Sequence, residues 1–421
     1  ITIAAMDLEE QDVQEYYNGF ANRTLWPLLH YRIDLTAYDR SYDAGYARVN
    51  ARFGEVLAPL IEAEDLIWVQ DYHLIPLGRE LRKRELGNAL GFFLHIPWPA
   101  RELIATLPKH RELVEALFHY DVVGFQTVEW RDAFVSYVLH EANGKLLPDG
   151  RLNAFGRSVR AEAFPIGLDT EGFKQLSQSQ EARSSYERML ESKAGRRMLL
   201  GVDRLDYSKG LEERFLAYER LLTDHPELRR EIFLLQIATP SRGEVPEYQE
   251  IAQRLDALAG RINGAFAEMD WVPIRNVHRM HSRRELAGIY RAADVALVTP
   301  LRDGMNLVAK EFVAAQDEAD PGVLVLSRFA GAASQMKQAL IVNPFSEEDV
   351  SDAIRRALSL DRQERRMRWR ALMQGVERED VTAWRDSFVH ALEAARDSAA
   401  PIASTDARPG LGPGFPSNST H

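Results

Sequence analysis

Residues 198–222 read MLLGVDRLDYSKGLEERFLAYERLL: an apolar run short enough for a buried strand, a loop carrying two cations, and a helix from about Leu211 to Leu222. Strand, loop and helix in that order are the unit of a parallel sheet covered on both faces. The unit recurs downstream, where EIFLLQIA (231–238), DVALVTP (294–300), GVLVLS (322–327) and ALIVNP (339–344) read as further strands with helices between them. Upstream, LIWVQ (66–70), ALGFFLH (89–95) and DVVGFQ (121–126) form an earlier series, each followed by a helix-period segment such as Leu77, Leu81 and Leu86 or Leu113 and Leu117. Two doubly wound, Rossmann-like α/β domains facing across one cleft are the economical reading, with ligands beyond the carboxyl ends of the strands. Pro165 and Gly167 in AFPIGLD (163–169) punctuate the boundary, giving a first domain over 1–166 and a second over 167–378. Late helices are predicted over 347–359, 362–375 and 380–396, and the segment 379–399 is expected to cross back to the first domain. The tail from 400 to 421, rich in Pro, Gly and Ser, is expected to stay unstructured.

The chain has 421 residues, 45% of them hydrophobic and 27% charged, which suits a globular protein with two substantial cores. A formal net charge of -11 argues against non-specific nucleic-acid binding, so any phosphate ligand must meet a local basic cluster. There is no cysteine, which excludes disulfides and thiolate metal sites and fits a reducing, cytoplasmic setting. No apolar run approaches the roughly 20 residues that span a bilayer, and no membrane partner is expected. The N-terminal ITIAAM reads as a strand entered midway, so the chain is expected to be a fragment.

Six segments could carry chemistry. In GVDRLDYSKG (201–210), Arg204 and Lys209 stand between a strand and a helix N-terminus, where free amides and the helix dipole already favour anions. The alternative is that Arg204 pairs with Asp206 and Lys209 is merely solvated. In PLRDGMNLVAKEF (300–312), Gly304 permits a turn that presents the amides from about Met305 to Val308 at a helix start, while Leu307 and Glu311 share a face and Asp303 stands beside them. Here the plainer reading makes Asp303 or Asn306 an ordinary N-cap. VQDYHL (69–74) and FFLHIPWPA (92–100) place Asp71, His73 and His95 just past adjacent strands. Tyr17 and Trp26 in EYYNGFANRTLWPLLHY are core aromatics or the faces of a sugar site, and Arg242 in ATPSRGEV can grip a phosphate bidentately. No Asp-x-Asp triplet, phosphate-binding P-loop or Gly-x-Ser-x-Gly elbow is present, so chemistry without a metal or other cofactor is expected.

These segments resemble the trehalose-6-phosphate synthases, glycosyltransferases with the two-domain GT-B fold. EYYNGFANRTLWPLLHYR, WVQDYHL, FFLHIPWP, VDRLDYSKGL, SRGEV, AGRING, TPLRDGMNLVAKEFVAAQ and GVLVLSRFAGAA stand in family order over most of residues 15–345. The resemblance implies that Arg204 and Lys209 hold the diphosphate of UDP-glucose or another nucleotide-glucose. Leu307, Val308, Ala309 and Lys310 would complete the donor site at the helix start, with Glu311 on the ribose. Asp303 and His95 would touch the donor glucose, and His281, in the poorly matching RMHSRRE, would fall near the base. Tyr17, Trp26, Asp71 and Arg242 would hold glucose 6-phosphate.

The implied reaction keeps the α configuration by front-face attack of the acceptor hydroxyl as the diphosphate leaves, with small-molecule substrates as partners and room for a homo-oligomer. The family also has an upstream strand and a glycine-rich loop that this sequence lacks, so reduced activity is expected. Three alternatives stay open: a sibling synthase acting on another polyol phosphate such as glycerol 3-phosphate, a retaining glycosidase using Asp71 and Glu311, and a non-catalytic regulatory homologue.

Overall fold

The computed structural model of the chain describes residues 3–240 and 246–399. The first sheet is built from β1 (Ile67–Gln70), β2 (Leu90–Phe93), β3 (Val122–Phe125), β4 (Lys145–Leu146), β5 (Leu152–Ala154) and β6 (Arg157–Ala163), in the order β1-β2-β3-β6-β5-β4. The pairs from β1 to β6 in that order are parallel, while β5 and β4 add an antiparallel edge. The second sheet contains β7 (Arg197–Arg204), β8 (Ile232–Thr239), β9 (Ile274–Val277), β10 (Val295–Val298), β11 (Val323–Ser327) and β12 (Leu340–Val342), all parallel, in the order β12-β11-β10-β7-β8-β9. Successive residues of β7 serve different cores: Met198 and Leu200 pack on one face and Leu199 on the other. Two covered faces are why β7, β8, β10 and β11 carry continuous apolar runs rather than alternating.

Each predicted strand from 66 onward forms, but four strands escape the sequence pattern. The β4–β6 edge is short and polar, and β9 reads IRNV, so neither offers an apolar run. ITIAAM is a correction: residues 3–8 carry no strand and pair with none of the twelve strands. An extended segment without a partner for its N–H and C=O groups gains nothing from strand geometry.

The chain passes between the two domains twice, near 164–169 and again near 379–381. The Val381 N–H donates to the Leu168 carbonyl at 3.0 Å where the passes meet. A Cβ on Gly167 would stand 2.2 Å from the Glu379 carbonyl oxygen, so only glycine lets them touch. Helix Val381–Ala399 then lays Phe388, Ala391 and Leu392 on the first sheet against Phe93, Val122 and Phe164. Among the described residues no helix is long and apolar enough to cross a membrane.

Candidate active site

Strand order in the second sheet reverses between β7 and β10, and the place where a doubly wound sheet binds its ligands lies beyond the carboxyl ends of that pair. Two loops fill it. In the first, the Asp206 carboxylate accepts the Ser208 N–H at 2.9 Å, a short turn follows over Tyr207–Lys209, and Gly210 takes φ 63°. A Cβ on Gly210 would lie 2.6 Å from the Thr299 carbonyl, so glycine is required on two counts. The Lys209 ammonium, buried, donates to the Asp303 carboxylate at 2.6 Å, tying this loop to the second. Burial pushes the Asp303 carboxyl up, but the adjoining Lys209 charge and hydrogen bond outweigh it and hold the group below its usual range. Arg204 is exposed, sits 5.7 Å over the Trp26 ring, and takes no carboxylate among the described residues. Neither the Arg204–Asp206 pair nor a merely solvated Lys209 is what forms.

Helix Leu307–Ala315 begins in the second loop. Its N-cap residue Asn306 has φ 62° and makes no capping bond, because its amide donates instead to Asp303 at 2.8 Å. The Asp303 carboxylate in turn accepts the Gly304 N–H at 2.9 Å. The opening amides, from Leu307 to Ala309, are thus left without a side-chain cap, which is the arrangement an anion site needs. One turn on, the Glu311 carboxylate accepts from Arg283 at 2.9 Å and from the Tyr290 hydroxyl at 3.4 Å. Lys310 is committed elsewhere: its buried ammonium donates to the Ile166 carbonyl and to Gln335, both at 2.8 Å, at the passage between domains. Burial lowers its pKa to about 8. His281 lies 3.4 Å from Glu285, which caps the next helix with Ser282.

The first domain supplies the facing wall. Tyr17 lies in a π-helix over Val13–Leu25, a rare form that frequently occurs at functional sites, and stacks on His73 with centroids 5.6 Å apart. Trp26 is buried, 4.1 Å from the His30 ring. Asp71 takes φ 71° and ψ 166°, a region an aspartate enters only at a cost of about 1–3 kcal/mol. Its carboxylate holds that turn by accepting the N–H of Tyr72 at 3.0 Å and of His95 at 3.2 Å. The His95 Nε2 meets the Gln70 side-chain oxygen at 2.7 Å; with Nε2–H as donor, Nδ1 remains an acceptor. The two walls touch at Gly304, where a Cβ would fall 2.2 Å from the His95 carbonyl. Arg242 lies outside the described residues.

The structure therefore brings Arg204, Lys209, Asp303 and the Leu307 helix start together, and sets Trp26 and His95 against them. Sequence reasoning passed over His30, which the four-residue step from Trp26 in WPLLH could have flagged, and Gln70, the polar end of an apolar strand. Both His30 and His95 are held neutral, burial lowering each pKa to about 4 from 6.5. The unfolded chain then binds more protons than the folded one between those values, so stability is lost as pH falls from about 6.5 toward 4. Thermal melts across that window should show the decline, and His95→Gln should flatten it; equal slopes for the variant would remove His95 from the account.

Comparison with known proteins places this geometry in context. The model of glycosyltransferase family 20 matches residues 1–394. A curated trehalose-6-phosphate synthase of Sinorhizobium fredii is 49% identical over 397 residues, covering 94% of this chain and 86% of the relative. Among solved structures, the alpha,alpha-trehalose-phosphate synthase (UDP-forming) of Burkholderia xenovorans in complex with glucose-6-phosphate superposes with TM-score 0.89 at 48% identity, covering 91% of this chain and 85% of that one. An E. coli structure bound with UDP-2-fluoro glucose gives TM-score 0.89 at 44% identity, with coverage of 92% and 86%.

Proposed function

The chain belongs to glycosyltransferase family 20, and from that membership we propose that it transfers glucose from UDP-glucose to glucose 6-phosphate, releasing UDP and alpha,alpha-trehalose 6-phosphate. The observation that carries this reading is the meeting of Arg204, Lys209 and the uncapped Leu307 helix start at the point where strand order reverses. Two cations and a row of free amides suit a leaving diphosphate whose charge grows as the sugar departs. They meet that charge with the protein's own groups, and the reaction is proposed to need no metal. Glu311, already paired with Arg283, suits the vicinal hydroxyls of a ribose.

On the opposite wall, Tyr17, Trp26 and Asp71 would orient the acceptor, and His95 with Asp303 would border the donor glucose. Attack from the face the diphosphate leaves keeps the α configuration, with a departing oxygen taking the acceptor's proton. The glycosidase alternative needs Asp71 and Glu311 as a facing pair. Asp71 instead serves two backbone N–H groups while Glu311 serves Arg283 and Tyr290. The cysteine-free composition favours a cytoplasmic setting.

UDP release measured with glucose 6-phosphate, glycerol 3-phosphate and no acceptor tests the reading. Release only with glucose 6-phosphate is expected, and equal release with glycerol 3-phosphate would replace the acceptor. Arg242→Ala should raise the KM for glucose 6-phosphate by about tenfold to a hundredfold while leaving that for UDP-glucose near its starting value, since a remote phosphate contact contributes binding to ground and transition states alike. Unphosphorylated glucose should be indifferent to the change; equal losses with both acceptors would withdraw the role from Arg242.

A further inference from the structure

A second cavity of about 660 Å³ opens between the domains, and its lining shares no residue with the clamp or the acceptor wall. It lies beyond the contact at Gly304, where Gly331 packs on the Gly304 carbonyl and a Cβ there would stand 3.2 Å from the Trp130 ring. The second domain contributes three cations, Arg302, Arg328 and Lys337, each from a segment following a carboxyl strand end. None takes a carboxylate in an ion pair among the described residues. Arg302 is half-buried, flat against the Tyr31 ring at 3.7 Å and 5.2 Å from Phe329. The first domain contributes Trp130 and the opening turn of helix Val128–Glu141, where the Thr127 hydroxyl accepts the Trp130 N–H at 3.3 Å. Two carboxylates also line the space. Glu129 acts on Arg302 through space, and Asp349 already accepts the Asn343 N–H at 2.7 Å.

Three cations against two carboxylates, one of them engaged, leave room for an added anion, and the half-buried ring of Phe329 suits a sugar ring. We propose that this cavity is a second ligand site, separate from the transfer site, for a small sugar phosphate. Its phosphate is held by Arg302, Arg328 and Lys337 and its ring lies against Phe329. Because the two domains supply opposite walls, occupancy favours one spacing between them and so tunes closure of the transfer cleft.

The test is calorimetric titration of the full chain saturated with UDP, using glucose 6-phosphate and, separately, inorganic phosphate as probes. For glucose 6-phosphate, a binding event beyond the one at the transfer site is expected, and Arg328→Glu with Lys337→Glu should weaken it by about tenfold or more. Both residues are exposed, so the fold, UDP affinity and basal transfer should stay as they were. If phosphate alone gives an event that the double variant abolishes, the site takes the anion and its sugar is other than glucose; if glucose 6-phosphate does, the substrate itself is the ligand. No additional event with either probe up to ~10 mM, or one the double variant leaves unchanged, overturns the proposal. UDP binding in the same samples tells a damaged transfer cleft from an empty second site.

Discussion

Arg204→Ala and Lys209→Ala should each lower turnover by about 10²–10³, the loss that follows removal of one preorganised donor to a developing charge. The two variants should differ in everything else. Arg204 is exposed and unpaired with any described carboxylate, so its removal should leave the melting temperature unchanged. Lys209 is buried against Asp303, and its loss strands a carboxylate that also holds Asn306 and the Gly304 N–H. Lys209→Ala should therefore destabilise the second domain as well, by about 3–5 kcal/mol if Asp303 stays ionised. Steady-state kinetics beside thermal melts separates the effects. A drop of less than about fivefold in turnover for both variants would end the clamp assignment.

An equally large effect is expected beneath the clamp. Arg214 is among the largest fully buried side chains, donating to Asp203 at 2.5 Å, to Gln236 at 2.7 Å and to the Thr299 hydroxyl at 3.0 Å. It ties the floor of β7 and β8 to the end of β10, on which both ligand loops stand. Arg214→Ala leaves Asp203 buried without its cation, and a loss of about 3–5 kcal/mol is expected, read as a fall in the urea midpoint. Replacing both partners, as in Arg214→Met with Asp203→Leu, should recover much of that loss, since apolar groups of similar volume often match a buried pair. A midpoint unmoved by Arg214→Ala would show that the network contributes nothing net.

Much of this was legible in the sequence for a physical reason. Strands buried on both faces must be apolar throughout, so β2, β3, β8, β10 and β11 stand out as runs, and β1, β7 and β12 carry enough of the same pattern to be found beside them. Ligand loops in such a fold leave the strand ends, which put Arg204, Lys209, Asp303, Asp71 and His95 on view. What stayed hidden depends on contacts between distant segments. Lys310 sits in a donor motif by sequence, yet its ammonium serves the Ile166 carbonyl because the domain passage lies within its reach. Arg214 reads as a surface helix residue until β8 and β10 close over it. The left-handed backbone of Asp71 follows from bonds to residues 72 and 95 that no local pattern encodes.

The helix at 381–399 gives the molecule an order of assembly. Its Phe388 stacks on Trp68 with centroids 4.3 Å apart and fills the space above Gly91 and Gly124. One face of the first sheet is thus finished by residues translated after the whole second domain. On the ribosome, where domains generally fold as their chain emerges, the second domain can close its own cores while the first still waits with Trp68, Phe93 and Phe164 uncovered. The domain that begins the chain is the last to be completed, and a nascent chain stalled before residue 381 presents a sticky sheet rather than half an enzyme.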